Sequence, residues 1–213
     1  MKIDEFAGKK RAGSDESGKG DLFGPLVVAG IVLRPEKEAV LLSHNIRDSK
    51  KITNNVIRKL AAVIRENAYF EIVCISPKKF NELYGKMRNM NLILGWAHQR
   101  VFQNLHESDP FELALADKFS VKNRIAVKGD FTLYEFNNAE ADVAVAAASI
   151  LARDRFLSEM ERMGTKFGME FHRGASPQAV EDARVFIRKH GYAELSSVAK
   201  MNFKIVPKDE ASS

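Results

Sequence analysis

Among 213 residues there is one cysteine, one tryptophan and six prolines. A single thiol, Cys74, cannot close an internal disulfide, so the fold must be held by a packed core, and the absence of a disulfide framework favours the cytoplasm. Its apolar neighbours Ile72, Val73 and Ile75 predict a strand with Cys74 buried in it. No apolar run approaches the ~18 residues needed to cross a bilayer. The longest, Val143 to Ala152, is short and interrupted by Ser149. The N-terminal stretch MKIDEFAGKKRAG mixes charges of both signs and lacks the apolar segment of a signal peptide. Internal repeats, low-complexity tracts and Pro/Gly/Ser linkers are missing too, which predicts one continuous domain.

What is present fits a globular chain: 45% hydrophobic and 29% charged residues, enough to bury roughly two thirds of the unfolded surface. Thirty-three Lys and Arg against 28 Asp and Glu give a net charge of +5 and a pI near 9.2. That balance permits binding to a polyanion without requiring it.

The β-branched run Leu26 to Leu33, stopping at Arg34-Pro35, reads as a buried strand. Further strands are predicted at Tyr69 to Ile75, Glu112 to Ala116 and Arg124 to Val127. Helical periodicity marks Asn54 to Glu66 behind Thr53, Leu92 to Leu105, and Gln178 to Lys189 before a His190-Gly191 stop. The longest helix is expected to begin near Asn138 and run to Met163. Its first half, VAVAAASILA, is small and apolar all round, predicting burial with close backbone approach. Strands interleaved with helices indicate an α/β protein with a mixed sheet.

The most informative segment is Gly13 to Pro25, GSDESGKGDLFGP. Adjacent acids Asp15 and Glu16 precede Gly18-Lys19-Gly20. Neighbouring strand side chains point to opposite faces, so the two acids are expected to share a site only if the strand ends or bulges there, a departure the glycines make cheap. Gly13 to Lys19 also fits the G-x-x-x-x-G-K core of a phosphate loop. Gly20, however, stands where the magnesium-binding hydroxyl belongs, and carboxylates ~4 Å from a phosphate at an effective dielectric of ~20 would repel it by about 4 kcal/mol per charge pair. A nucleotide hydrolase is therefore set aside.

The string DESGKGDLFGPLVVAG (Asp15 to Gly30) resembles the first motif of the type 2 ribonucleases H. Asp48-Ser49-Lys50, Asp117 at the end of an apolar strand, and an acid ahead of Ala146 to Arg153 (AAASILAR) follow in that family's order. Within the family the chain is similar to ribonuclease HIII in Asp21-Leu22-Phe23-Gly24-Pro25, in Lys200 to Lys204 with Asn202 in place of the more usual His, and in Gly174-Ala175-Ser176-Pro177. At Ala175, HII enzymes typically carry a tyrosine that reads the RNA–DNA junction. Only about a dozen residues precede the first motif, so the N-terminal substrate-binding domain of typical HIII enzymes is expected to be absent.

The resemblance implies a ribonuclease H-like fold, a mixed central sheet flanked by helices with further helices at the C-terminus. A catalytic domain would span residues 1–207, and a frayed tail 208–213. It implies hydrolysis of the RNA strand of RNA–DNA hybrids by two ions of Mg²⁺ or Mn²⁺, giving 5′-phosphate and 3′-hydroxyl ends, in a monomer with no membrane partner. The acidic tetrad falls on Asp15, Glu16, Asp117 and Glu140, with Asp142 the alternative fourth acid. Four oxygen donors of this kind suit a hard cation. Gly18, Lys19 and Gly20 are implied as readers of the 2′-hydroxyl and of phosphate, with Ser49 and Lys50 on phosphate. His98, His106, His172 and His190 show no metal-ligand spacing and no acid partner and are assigned structural roles; Trp96 and the phenylalanines are assigned to the core, and Arg184 to His190 to a solvated helix face.

Overall fold

The computed structural model describes residues 3–46, 53–120 and 124–207. Five strands form one sheet: β1 (Arg11–Ser17), β2 (Leu26–Leu33), β3 (Tyr69–Ile75), β4 (Leu113–Asp117) and β5 (Thr132–Phe136), in the order β3-β2-β1-β4-β5. β1 pairs antiparallel with β2, and β2 with β3, whereas β1–β4 and β4–β5 are parallel. The sheet is thus mixed, as the interleaved pattern predicts.

Helices cover both faces. They are α1 (Pro35–Ser43), α2 (Asn54–Asn67), α3 (Pro77–Met87), α4 (Met90–Ser108), α5 (Val143–Phe167), α6 (Pro177–His190) and α7 (Tyr192–Leu195). β2 shows why a strand can lack polar alternation. Val27, Ala29, Ile31 and Leu33 join the core beneath α2, α5 and α6, while Leu26, Val28 and Val32 join the core beneath α3 and α4. Both faces are buried, so both carry apolar side chains.

Four sequence expectations are corrected. Arg124 to Val127 is not a strand: the parallel slot beside β4 is taken by β5, with Leu113 opposite Thr132 and Asp117 opposite Phe136, and the carbonyl of Arg124 packs instead against Gly95 of α4. The longest helix begins at Val143, after a separate 3₁₀ turn over Ala139–Ala141, because Asn138 adopts a left-handed conformation (φ 59°) that no α-helix continues. Three helices, α1, α3 and α7, are additional; α1 and α3 each start on a proline at the first turn. Trp96 is 38% exposed and not a core residue, and Cys74 is half-buried rather than enclosed. The tail 208–213 lies outside the described residues.

The small-residue half of α5 lies directly on β1. A Cβ added at Gly13 would stand 2.4 Å from the carbonyl carbon of Ala144 and 2.5 Å from the amide nitrogen of Val145. At the start of β1, the buried guanidinium of Arg11 bonds Glu38 of α1 (2.6 Å) and Asp142 ahead of α5 (2.8 Å). These two contacts fix where α5 sits. Gly13→Ala is therefore expected to destabilise by about 2 kcal/mol or more, since backbone on the opposing side cannot yield as a side chain can. Gly20→Ala, with open space around its Cβ, is expected to stay within about 0.5 kcal/mol. Denaturant melts of the two variants check this.

Candidate active site

The parallel pairing of β1 and β4 runs from Ala12 opposite Ala114 to Ser14 opposite Ala116. One step further along both strands lie Asp15 and Asp117, so two carboxylates arrive side by side at the carboxyl edge of the sheet. β1 does not bulge there. Its ladder with β2 continues through Asp15–Ala29, Glu16–Val28 and Ser17–Val27 and β1 then ends at Ser17, so of the two departures expected, an end or a bulge, the strand end is the one found. Asp15 consequently faces α5, where Ser149 supplies a hydrogen bond, and Glu16 faces α4.

Burial, reinforced by the charges of Glu16 and Asp117, pushes the Asp15 carboxyl from its ordinary 3.8 up to about 8, against hydrogen bonds from Ser149 and from the Glu16 amide. That amide donates to Asp15 Oδ1 at 2.8 Å. Glu16 moves the other way: burial would raise it, but His98 and Lys19 together hold it below the usual carboxylate range. Lys19 Nζ lies 3.5 Å from Glu16 Oε1. Asp117 Oδ1 accepts the amide of Ala139 at 2.9 Å, which fastens the 3₁₀ turn carrying Glu140 to the end of β4.

Glu140 and Asp142 sit in different surroundings. Asp142 Oδ2 accepts from Arg11 and Oδ1 from the Ala144 amide at 2.7 Å, capping α5. The side chain is 2% exposed. Glu140 is half-buried on the turn that the Ala139 amide fastens to Asp117.

Among the described residues, no three His, Cys, Asp or Glu side chains are drawn together tightly enough to cage an ion. The donor set nevertheless fits a hard divalent cation. Asp15, Glu16 and Asp117 are carboxylates whose charges disfavour one another, and the buried Oε2 of Glu16 has no hydrogen-bond partner among the described residues.

The glycine loop follows at once. Gly18 has φ +89°, and a Cβ there would stand 2.1 Å from the carbonyl oxygen of Pro25, so only glycine fits this turn. Gly20 is open and exposed, with Lys19 between them. Asp21 then accepts the Gly174 amide at 2.7 Å while the Leu22 amide donates to the Gly174 carbonyl at 3.0 Å. Exposed Ala175 is thereby held beside the loop. Buried Lys200 donates to the carbonyls of Gly24 (2.7 Å) and Phe23 (3.3 Å) from beneath. Ser49 and Lys50 lie outside the described residues.

Three polar residues of this region escape sequence reasoning. His98 Nδ1 pairs with Ser14 Oγ at 2.8 Å and its Nε2 faces Glu16 at 3.4 Å, so His98 does have an acid neighbour; so does His172, 2.8 Å from Asp182. Ser149 is the third. The only trace available in the sequence is that Ser14 adjoins the acids and Ser149 sits in the AAASILAR string.

Residues 12–206 match the family model described as Ribonuclease HII. Ribonuclease HIII of Chlamydia felis is 36% identical over 204 residues, covering 92% of this chain and 68% of that protein. The Protochlamydia amoebophila ribonuclease HIII is 34% identical over 197 residues, or 90% of this chain and 65% of its own length. Among solved structures, Bst ribonuclease HIII in complex with Mn²⁺ superimposes with a TM-score of 0.90 at 26% identity over 96% of this chain and 70% of that one. Ribonuclease HII of Archaeoglobus fulgidus, solved in complex with PCNA, gives a TM-score of 0.78 at 28% identity over 96% of this chain and all of that one. The chain belongs to the type 2 ribonuclease H family, a family of metal-dependent ribonucleases, and stands close to its ribonuclease HIII members.

Proposed function

We propose that the chain is an endonuclease for the RNA strand of RNA–DNA hybrids, using two divalent cations and leaving 5′-phosphate and 3′-hydroxyl ends. The observation carrying this reading is the placement of Asp15 and Asp117 at adjacent parallel strand ends, one step beyond the Ser14–Ala116 pair, with Asp15 pushed up to about 8 by burial and by the charges of Glu16 and Asp117. Mg²⁺ or Mn²⁺ would be held by Asp15, Glu16, Asp117 and Glu140. The cations supply Lewis acidity toward the scissile phosphate, the attacking water and the leaving 3′ oxygen. The chain's own residues do the rest. Ser149 and the Glu16 amide orient Asp15; the Ala139 amide orients Asp117.

Selectivity for RNA requires contact with the 2′-hydroxyl. The main chain of Gly18, Lys19 and Gly20 can come close to a minor groove because two of its three residues have no side chain, and its N–H and C=O groups can donate and accept. Lys19 bends back onto Glu16 here; with cations in place its ammonium is free to meet a backbone phosphate. Affinity should then fall with salt. Ser49 and Lys50 are proposed as further phosphate contacts.

A labelled hybrid incubated with Mg²⁺ or Mn²⁺ is expected to be cut, with no cutting in EDTA. Asp15→Asn is expected to abolish cutting and preserve hybrid binding; binding without cutting by the wild type would instead point to a non-catalytic relative. The same variant has an independent signature. A carboxyl raised in the fold stabilises most below its unfolded pKa, and that advantage is lost as pH climbs from about 4 to about 8. In metal-free buffer Asp15→Asn should therefore melt higher than wild type, with a gain that grows over this window to at least about 1 kcal/mol, or roughly 2–4 °C.

Glu140→Gln is expected to cost catalysis at intact stability, whereas Asp142→Asn is expected to cost stability by loosening Arg11 and the α5 cap. Parallel melts and rate measurements distinguish them. With Ala175 beside the glycine loop, a duplex holding one embedded ribonucleotide is expected to be cut at least tenfold more slowly than one with a longer RNA tract. Competition cleavage assays measure the ratio.

A further inference from the structure

Ser14 and Glu16 project from the same side of β1, and one imidazole spans both. His98 is wholly buried. Its Nδ1 pairs with Ser14 Oγ at 2.8 Å and its Nε2 stands 3.4 Å from Glu16 Oε2. The ring is stacked on Phe119 at 5.2 Å and 13°, which keeps it in the plane of those two neighbours. Phe119 in turn carries Lys19 at 5.6 Å from its centroid. One oxygen of Glu16 thus faces Lys19 of the glycine loop and the other faces His98. Among the described residues Glu16 Oε2 and His98 Nε2 are both buried without a hydrogen bond, although they lie opposite each other. Leaving such a donor and acceptor unmade is costly, so a small turn of the Glu16 carboxylate that closes the 3.4 Å gap is favoured.

Strand alternation makes this contact matter. Asp15 leans on α5 through Ser149, while its neighbour is sent to the opposite face of the sheet. A second acid reaching one cation site from the wrong face needs a support on that face, and α4 provides it. We propose that His98 is a positioning residue for Glu16, anchored by Ser14 through Nδ1 and presenting Nε2–H to Oε2 so that the carboxylate is held toward the cation site. The inference rests on the cation-site reading of Asp15, Glu16, Asp117 and Glu140. Supports of this kind behind a metal-binding carboxylate change affinity by about 10- to 100-fold when removed.

The test is Mn²⁺ titration of the full chain by calorimetry, with melts and cleavage rates alongside. His98→Asn keeps an amide near Ser14 but does not reach Glu16. It is expected to melt within a few degrees of wild type, to bind Mn²⁺ about tenfold more weakly or worse, and to lose kcat at limiting Mn²⁺ with KM for hybrid unchanged. His98→Gln, which returns a donor near the Nε2 position, should regain most of the affinity. Ser14→Ala, which leaves the imidazole in place but unanchored, should lose about threefold, and it carries the test if His98→Asn does not fold. Wild-type Mn²⁺ affinity in His98→Asn or, where that variant is unfolded, in Ser14→Ala overturns the inference. So does a loss shared equally by Asn and Gln and matched by their loss of stability. Mn²⁺ binding that survives Asp15→Asn overturns the cation site itself; Mn²⁺ binding lost in Asp15→Asn but intact in His98→Asn overturns only the role of His98.

Discussion

Like charges gathered at the end of two parallel strands are the constraint around which this molecule is arranged. Burial disfavours ionisation of Asp15, and Glu16 and Asp117 lie close enough for their charges to add to the effect. The protein does not relieve this by placing an arginine among them. It supplies hydrogen bonds from groups without net charge, namely two main-chain amides and Ser149, and among the described residues Lys19 of the glycine loop is the cation beside Glu16. Such donors orient the carboxylates while leaving their negative potential largely intact. A guanidinium would stabilise the fold more and compete for the same charge that a divalent ion needs. Stability is lower at the site than it could be, in the usual trade between a tight fold and a working centre.

The contrast with Asp142 makes the point sharper. Two residues along the chain from Glu140, it has a buried arginine and a helix N-terminus as partners. It closes the network of Arg11, Glu38 and Asp142, which joins β1, α1 and α5. Removing any one of these would leave a buried charge without its partner, which is far costlier than the pair is favourable. Pairing to a buried cation thus stands beneath the site, at the opposite end of β1, and mostly neutral hydrogen-bond donors within it. The glycine loop is secured by a third means. Lys200, whose pKa burial lowers to about 7 even with Asp21 nearby, ties the carbonyls of Phe23 and Gly24 to the C-terminal segment, and Asp21 ties the loop to Gly174. The glycine loop at Gly18 to Gly20 and the exposed Ala175 therefore belong to one hydrogen-bonded unit.

Much of this was legible in the sequence, and the gaps have physical causes. β2, β3, α2, α4 and α6 are set by local periodicity and caps, and their bounds differ from expectation by only a few residues at their ends. The close approach of α5 was visible in VAVAAASILA, though its partner Gly13 was not. β5 was missed because a parallel edge strand is chosen by competition for the open side of β4, which Thr132 to Phe136 wins over Arg124 to Val127. Opposite projection of Asp15 and Glu16 follows from strand geometry alone. Of the two expected remedies, a strand end and a bulge, the end is found, one residue beyond Glu16, and support for Glu16 comes from another part of the chain. His98 is 84 residues from Ser14, and no spacing rule relates a helix position to a strand position across a sheet. Trp96 was placed in the core by its size, yet α4 turns it outward.

The architecture and the proposed chemistry are therefore linked more closely than by family membership. A single strand can contribute two consecutive side chains to one centre only at its end and only if each is held from its own face. In an antiparallel sheet with one solvated face, the outward acid would be hydrated and mobile, and its orientation would have to be fixed at the moment of cation binding, at a cost in conformational entropy. Here α5 stands over one face of β1 and α4 over the other. Ser149 reaches Asp15 from the first, His98 reaches Glu16 from the second, and the parallel neighbour β4 adds Asp117 from the side. Helices on both faces of the sheet are what allow adjacent residues of β1 to serve the proposed cation site while each is supported from its own face.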